Sequence, residues 1–321
     1  MIIAQISDTH IAVPPVSGAN REGDLARVID DIHTRRKRPD LVIHTGDASN
    51  YGRPEEYAVL RRIMDTLDIP WIILPGNRDN RAHMREAFGD LPWMPAGRDE
   101  PLDFALEDFG VRIAAFDSKG PRTNKGWADA ARLSALSALL EAGSGRPTVL
   151  AMHHPPFAMR YAKDPHQFAD WSHAERLADV VRRRACVKLL LTGHSHRLAE
   201  SHIGNAPAFT MPSVATDLRK GEFRAALARH PAYMLYELDD AGELVHHELR
   251  IVDCSVDDRP VVVIVEDAQG LAVEILVLPG PQRPDEGAES QQAEEKGDGY
   301  EIEQNAHAAF LPTLRRAVSS S

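Results

Sequence analysis

The chain has 321 residues, of which 43% are hydrophobic, enough to bury one large core or two smaller ones. Its net charge of −11 argues against stable, salt-driven binding to nucleic acid, although a pocket could still hold a small phosphorylated ligand. The two cysteines, Cys186 and Cys254, are too few for a disulfide framework. No apolar run approaches the roughly 18 to 20 residues of a membrane span, and no basic segment typical of a signal peptide opens the chain. We therefore expect a cytoplasmic protein.

Short apolar runs rich in β-branched residues recur along the first two thirds of the chain and predict strands buried on both faces. They cover residues 2–7, 41–46, 71–76, 111–117, 148–154 and 187–194. Amphipathic helices are predicted between the first runs, one with Asp24 as its cap and one with Pro54 in its first turn. This alternation is typical of a layered α/β fold.

The later sequence has a different pattern. Residues 232–249 and 260–278 each read as two strands around a turn that contains glycine, which predicts two β-hairpins. Beyond them the composition shifts to Pro, Gly, Gln and Glu. The window 285–303 holds eight acidic residues and one lysine and accounts for −7 of the net charge. Such a segment is too polar to fold by itself.

Polar clusters follow five of the predicted strands. They are Ser7-Asp8-Thr9-His10, Thr45-Gly46-Asp47, Gly76-Asn77-Arg78-Asp79, His153-His154-Pro155-Pro156 and Gly193-His194-Ser195-His196. Ligands of open α/β sheets bind at the carboxyl ends of the strands, so we expect these clusters to meet at one edge. Their oxygen and imidazole donors suit Mn, Fe, Co or Zn. Since Asp8 and His10, like His194 and His196, are one residue apart, extended backbone would point both side chains of each pair the same way.

The order D-x-H, G-D, G-N, H-H-P-P and G-H-x-H resembles the calcineurin-like metallophosphoesterase superfamily over about residues 1–250. The stretch "GDASNYGRPEEY" and the "KGW" at 125–127 narrow the resemblance, together with an "SKGW"-like run at 118–121 that Pro121 interrupts. They make the chain similar to the bacterial glycerophosphodiesterase and cyclic-nucleotide phosphodiesterase branch. The resemblance implies a four-layered αββα sandwich with C-terminal β-hairpin additions.

The resemblance also implies two divalent metal ions bridged by an aspartate and a hydroxide. Carried over by motif, Asp8, His10 and His196 hold the first ion, Asp47 bridges, and Asn77, His153 and His194 hold the second. The expected reaction is hydrolysis of a small phosphodiester by the bridging hydroxide. The expected domains are a catalytic domain over 1–252, a β-hairpin extension over 253–279 and the acidic tail over 280–321. Members of this branch commonly associate through the region after "GHSH", so the resemblance also implies a possible homodimer.

Arg78 departs from the family pattern, since the resemblance implies His at this position, as family members usually have. An arginine cannot donate a proton at neutral pH, but its guanidinium can bind two phosphoryl oxygens and stabilise their charge. We therefore predict that Arg78 is an electrostatic clamp and that the proton for the leaving group comes from His154 or a metal-bound water. Period-2 alternation puts His154 on the opposite side of its strand from His153. The alternative is that Arg78 pairs with Asp79 or another acid and the site is catalytically impaired.

Two further residues are candidates for substrate contact. Asn50 and Tyr51 follow the bridging Asp47 on a loop. The alternative is that Asn-Tyr-Gly only forms a turn, for which this sequence is also typical. Alternative functions are a phosphomonoesterase, a lipid-headgroup phosphohydrolase, or a metal-binding scaffold that has lost catalysis because of Arg78.

Overall fold

The computed structural model describes residues 1–143, 145–159, 162–221, 228–252, 261–266 and 272–277. Cys254 and the tail predicted over 280–321 lie outside these residues. The strands are β1 Ile2–Ile6, β2 Leu41–His44, β3 Trp71–Ile73, β4 Phe104–Leu106, β5 Arg112–Ala115, β6 Thr148–Ala151, β7 Val187–Thr192, β8 Ala199–Ile203, β9 Ala206–Thr210, β10 Ala232–Leu238, β11 Leu244–Ile251, β12 Val261–Glu266 and β13 Ala272–Val277. The α-helices are α1 Arg21–Thr34, α2 Pro54–Met64, α3 Arg81–Phe88, α4 Ala130–Ala142 and α5 Trp171–Arg182.

Two mixed sheets form the centre of the fold. The first has the order β11-β10-β1-β2-β3, in which β1, β2 and β3 are parallel and β10 pairs antiparallel with β1. The second has the order β4-β5-β6-β7-β9-β8, in which β5, β6 and β7 are parallel. Both predicted hairpins are present, as β10–β11 and β12–β13. The first hairpin completes the first sheet.

Alternation along the second sheet shows how the layers pack. Ile113, Val149 and Leu189 belong to the core that includes the first sheet and helices α1 to α3. Their chain neighbours Ala114, Leu150 and Leu190 pack instead with α4 and α5. Successive side chains of a strand point to opposite faces, so the second sheet lies between the first sheet and these two helices. The predicted αββα sandwich is confirmed.

The element boundaries differ from the prediction in two ways. All six predicted strands end earlier, as in β6, which stops at Ala151, so the polar clusters lie entirely in loops. Asp24 is not a helix cap: α1 begins at Arg21, and the Asp24 carboxylate accepts hydrogen bonds from the N–H and hydroxyl of Thr216, both at 2.8 Å. A cap is a local contact, whereas this partner lies 192 residues along the chain.

Within the described part of the chain, no helix combines the length and apolar character needed to cross a bilayer.

Candidate metal centre

The loops after β1, β2, β3, β6 and β7 meet at the carboxyl edge of the two sheets. Two groups of donors form there, each with its ligand atoms within 4.8 Å of one another. The groups are Asp8, His10, Asp47 and His196, and His153, His154 and His194. The predicted clusters therefore come together although up to 188 positions separate them in sequence, from Asp8 to His196.

Asp47 lies between the two groups. Its Oδ2 is 3.5 Å from Nε2 of His10, and its Oδ1 is 3.5 Å from Nε2 of His153. Each oxygen of one carboxylate thus faces a different set of donors. This is the arrangement that a bridging ligand requires.

The first set is completed by Asp8 and His196. Oδ1 of Asp8 is 3.3 Å from Nε2 of His196 and 3.9 Å from Nε2 of His10, and the two imidazole Nε2 atoms are 3.2 Å apart. Nδ1 of His196 donates to the carbonyl of Leu218 at 3.0 Å. Because a carbonyl only accepts, the ring proton is on Nδ1, and the lone pair of Nε2 points into the site.

The second set is centred on Asn77. Its Oδ1 is 2.8 Å from Nδ1 of His194 and 3.2 Å from Nε2 of His153. The other ring nitrogen of His153, Nδ1, donates to the carbonyl of Thr45 at 2.7 Å, so Nε2 is the ring nitrogen that faces the site. The predicted residues Asn77, His153 and His194 are therefore brought together.

His154 lies closer to this set than predicted. Its ring is 4.8 Å from the ring of His153 and 4.4 Å from that of His194, measured between centroids. The prediction that it faces away from His153 is wrong, because β6 ends at Ala151 and alternation does not extend into the loop. Nδ1 of His154 is 2.9 Å from the hydroxyl of Ser118.

The backbone at this rim is left-handed at five residues that carry donors. The φ angles are 55° at Asp8, 44° at His10, 51° at Asp47, 68° at His194 and 57° at His196. The two pairs Asp8/His10 and His194/His196 thus reach one site through tight turns. The expectation of extended backbone is wrong, and positive φ in non-glycine residues marks strain of the kind found at functional sites.

Gly46 permits the closest backbone approach at the centre. Its φ is 102°, and a Cβ built on it would lie 2.7 Å from the N–H nitrogen of Gly76 and 2.7 Å from Nδ1 of His153. No other residue fits there without moving the strand ends apart. Gly46 therefore sets the distance between Asp47 and the second set.

The two carboxylates at the centre are ionised at neutral pH. Burial is the largest single effect and acts to raise the pKa of each, but the neighbouring groups together outweigh it, chiefly the imidazole of His196 at Asp8 and that of His153 at Asp47. Both pKa values therefore stand below the ordinary value for Asp.

The imidazoles divide into two kinds. Burial lowers the pKa of His10 to about 4, and burial together with the charge of His153 lowers that of His194 to about 3. At His153 burial also acts to lower the pKa, but the carboxylates of Asp47 and Asp8 and the carbonyl of Thr45 together outweigh it and raise the pKa to about 9. In the metal-free protein His153 is thus protonated at neutral pH.

The donors fit a pair of divalent transition-metal ions. Oδ1 of Asp8 is buried and has no hydrogen-bond partner among the described residues, although its carboxylate is ionised. A buried anionic oxygen is costly unless a cation or a donor compensates it. Carboxylate, amide and imidazole donors together match borderline cations such as Mn, Fe, Co and Zn.

Arg78 lies at the mouth of the centre. Its backbone N–H donates to Oδ1 of Asp47 at 2.7 Å, and the residue is exposed. No carboxylate of the described residues forms an ion pair with its guanidinium. Asp79, the expected partner in the impaired-site alternative, is buried and accepts from the N–H groups of Gly76 at 2.8 Å and Ser49 at 3.1 Å and from the hydroxyl of Tyr57 at 3.1 Å.

Asn50 and Tyr51 differ in how firmly they are held. Oδ1 of Asn50 accepts from the guanidinium of Arg21 at 2.9 Å. Tyr51 is 56% exposed, and the guanidinium of Arg53 lies over its ring at 4.8 Å. The structure thus gives Asn50 a positioned amide and Tyr51 an exposed ring.

Sequence reasoning missed several residues that support the centre. Nζ of Lys119 donates to the carbonyl of Asn77 at 2.6 Å, and Arg21 donates to the carbonyl of His10 at 3.0 Å. The "SKGW"-like run draws attention to Lys119. Nothing in the local sequence around Arg21 signals its role.

Comparison with known proteins agrees with this geometry. The model of the calcineurin-like phosphoesterase family matches residues 1–198. The glycerophosphodiester phosphodiesterase GpdQ of Enterobacter lignolyticus is 31% identical over 222 residues, covering 66% of this chain and 77% of that protein. The 3′,5′-cyclic adenosine monophosphate phosphodiesterase CpdA of Pseudomonas aeruginosa is 24% identical over 254 residues, covering 76% and 88%.

A solved dimetal phosphatase from Danio rerio shares the fold, with a TM-score of 0.54 and 14% identity over 74% of this chain and 92% of that one. The resemblance to the glycerophosphodiesterase and cyclic-nucleotide phosphodiesterase branch is confirmed by the relatives. On the match over residues 1–198 and the identity to its relatives, the chain belongs to the calcineurin-like phosphoesterase family.

Proposed function

We propose that the protein is a phosphodiesterase that hydrolyses small diesters, either a glycerophosphodiester or a cyclic nucleotide, at a dinuclear metal centre. The observation that carries the proposal is the position of Asp47, whose two oxygens face His10 and His153 at 3.5 Å each. The names of the two bacterial relatives support the same class of substrate.

In this proposal Asp8, His10 and His196 hold one ion, Asn77, His153 and His194 hold the other, and Asp47 bridges them. Two divalent ions bound there would supply an activated water and neutralise the charge of the phosphodiester. The residues fix the ring orientations: the carbonyls of Thr45 and Leu218 each hold one Nδ1–H. Their hydrogen bonds direct Nε2 of His153 and Nε2 of His196 into the site.

Arg78 is proposed to bind the substrate phosphoryl group. Its main chain is held to Asp47 while its guanidinium has no ion pair among the described residues, so the cation is available to an anion. A planar fork can bind two phosphoryl oxygens at once. Asn50 and Tyr51 are proposed to contact the rest of the substrate. The amide oxygen of Asn50 accepts from Arg21, and its amide nitrogen donates to none of the described residues.

Because Arg78 stands where family members usually have His, the leaving group must receive its proton from another residue. Burial and the neighbouring His194 lower the pKa of His154 well below its ordinary value, so this ring is neutral at pH 7. His154 is therefore proposed to act as a neutral imidazole N–H toward the leaving oxygen, and substrates with good leaving groups should react fastest.

The remaining proposals concern the setting. Manganese, iron, cobalt or zinc would suit the donors. The free, half-buried thiol of Cys186 is in keeping with a reducing cytoplasm. A homodimer stays a prediction based on the family resemblance.

The test is a substrate panel. Protein stripped by chelator and reloaded with Mn²⁺, Co²⁺ or Zn²⁺ is assayed on glycerophosphoethanolamine, cyclic AMP, bis(p-nitrophenyl) phosphate and the monoester p-nitrophenyl phosphate. We expect diester turnover to exceed monoester turnover. Asp47→Asn should lose at least about 100-fold, as expected when a residue of the metal centre is changed. Faster monoester hydrolysis would assign the protein to phosphomonoesters, and bound ions without any turnover would support the scaffold.

A further inference from the structure

An ion pair joins the start of α1 to a short 3-10 helix over Thr216–Leu218. Arg21 donates from Nε to Oδ1 of Asp217 at 3.0 Å and from Nη2 to Oδ2 at 2.8 Å. Arg21 is only 8% exposed. Such a two-pronged, largely buried guanidinium is held in one geometry, unlike a flexible surface pair. We call it the Arg21–Asp217 pair.

One end of the pair reaches His10. Nη1 of Arg21 donates to the carbonyl of His10 at 3.0 Å and to Oδ1 of Asn50 at 2.9 Å. The backbone of His10 is left-handed, with φ of 44°. A conformation of this kind persists only when surrounding contacts hold it. Arg21 supplies one of these contacts through its third nitrogen.

The other end reaches His196. Leu218 follows Asp217 directly, and its carbonyl accepts from Nδ1 of His196 at 3.0 Å. The carbonyl of His196 accepts from the N–H of Lys220 at 2.9 Å. The segment after Asp217 therefore fixes both the ring and the main chain of His196, whose φ is 57°.

These contacts close a ring around the first set of donors. It runs from the carbonyl of His10 through Arg21, Asp217 and Leu218 to Nδ1 of His196, whose Nε2 is 3.2 Å from Nε2 of His10. We propose that Arg21 and Asp217 are positioning residues, which set the separation and orientation of His10 and His196 and thereby the affinity of the first metal site. The inference rests on one part of the proposed function, that these donors hold a cation, and does not depend on the reaction.

The test measures metal affinity. Anomalous scattering from crystals soaked at graded Mn²⁺ concentrations gives the occupancy of each site separately. Asp217→Asn removes the charge of the pair, and we expect binding at the first site to weaken about 10- to 100-fold, the range for changes to groups that orient metal ligands. Binding at the second site should change much less.

A matched control lies on the same helix. Arg250 donates to Asp31 of α1 in the same two-pronged way, at 3.1 and 2.8 Å, and both side chains are largely buried. Asp31→Asn removes an equivalent ion pair that contacts neither His10 nor His196. It should lower the melting temperature while leaving both affinities within about twofold of the wild type, as expected for an independent site.

Conservative replacement of the arginine gives a second measurement. Arg21→Lys keeps the charge but cannot make three directed contacts at once, so first-site affinity should fall between those of the wild type and Asp217→Asn. Unchanged first-site affinity in both variants would overturn the inference, as would an equal loss in Asp31→Asn. Wild-type protein that binds two ions but hydrolyses no diester would overturn the proposed function alone.

Discussion

Arg78 is fixed to Asp47 through its main chain, since its N–H donates to Oδ1 of that carboxylate at 2.7 Å. The same oxygen faces His153 at 3.5 Å. The arginine is thus placed beside the bridging residue while its exposed guanidinium forms no ion pair with described residues. A replacement of its side chain should change catalysis without disturbing this hydrogen bond.

Replacing Arg78 by Ala is expected to lower kcat for bis(p-nitrophenyl) phosphate by about 100-fold, the effect of losing one charge-stabilising donor. The melting temperature should stay unchanged, because the exposed side chain forms no ion pair with any residue that the structure describes. Arg78→His should restore part of the rate and add an ionisation to the pH profile. Steady-state kinetics from pH 5 to 9 measures both. A wild-type rate and pH profile in the His variant would refute the clamp.

Metal removal should destabilise the protein. A cation at 100 times its dissociation constant stabilises a fold by about 2.7 kcal/mol, because it binds only the folded chain. We expect EDTA to lower the melting temperature and Mn²⁺ to restore it. Asp47→Asn provides the control, since it should melt at nearly the same temperature with and without Mn²⁺. An identical response of this variant and the wild type would mean that the stabilising ions bind elsewhere.

The pH dependence of metal binding follows from His153. Its pKa is about 9 in the metal-free fold, above the ordinary 6.5, so its protonated form stabilises that fold. This contribution is complete below pH 6.5 and is lost as the pH rises through 9. A metal ion needs the neutral ring, so affinity should rise over the same window. Calorimetry at pH 7.5 in buffers of different ionisation heat should show a proton released, and a pH-independent affinity would contradict this assignment.

Tyr57 should be needed for stability at the rim. Its hydroxyl donates to Oδ1 of Asp79 at 3.1 Å and accepts from the N–H of Asn80 at 2.7 Å. Tyr57→Phe would leave both groups short of a partner, so we expect a loss of about 1 to 3 kcal/mol in the free energy of unfolding. Tyr233→Phe is the matched control, because that buried hydroxyl donates to Asp31, away from the centre. Urea unfolding measures the free energy lost in each variant. A Mn²⁺ titration should show weaker metal binding for the Tyr57 variant only.

The apolar strands and the polar residues after them could be predicted because each is a pattern of consecutive residues in the sequence. The geometry between the clusters was not. Alternation predicted that Asp8 and His10 share a side, but the strands end before the clusters, and left-handed turns produce the result instead. Strands β8 and β9 were missed because polar residues or a proline interrupt their apolar residues, as in AESHI and APAFT.

Contacts between residues far apart in the chain also could not be predicted from the sequence. Arg21 and Asp217 are 196 residues apart, and neither stands in a recognisable pattern. Asp79 was considered only as a member of a polar cluster and as a possible partner of Arg78, yet it accepts hydrogen bonds from the loops after both β2 and β3. Such partners become visible only when the sheet brings the loops together.

Five residues of the centre have left-handed φ angles, which restricts the residue types that can stand at these positions. They are Asp8, His10, Asp47, His194 and His196. Asp, Asn and His are the side chains that enter this backbone region most readily after glycine, and they also ligate borderline cations. Glutamate or cysteine could coordinate an ion but would add a conformational cost of about 1 to 2 kcal/mol at each position. Redesign of this centre toward softer metals would exchange imidazole for thiolate. The left-handed main chain would make that exchange costly, whatever the strength of the new metal–ligand bonds.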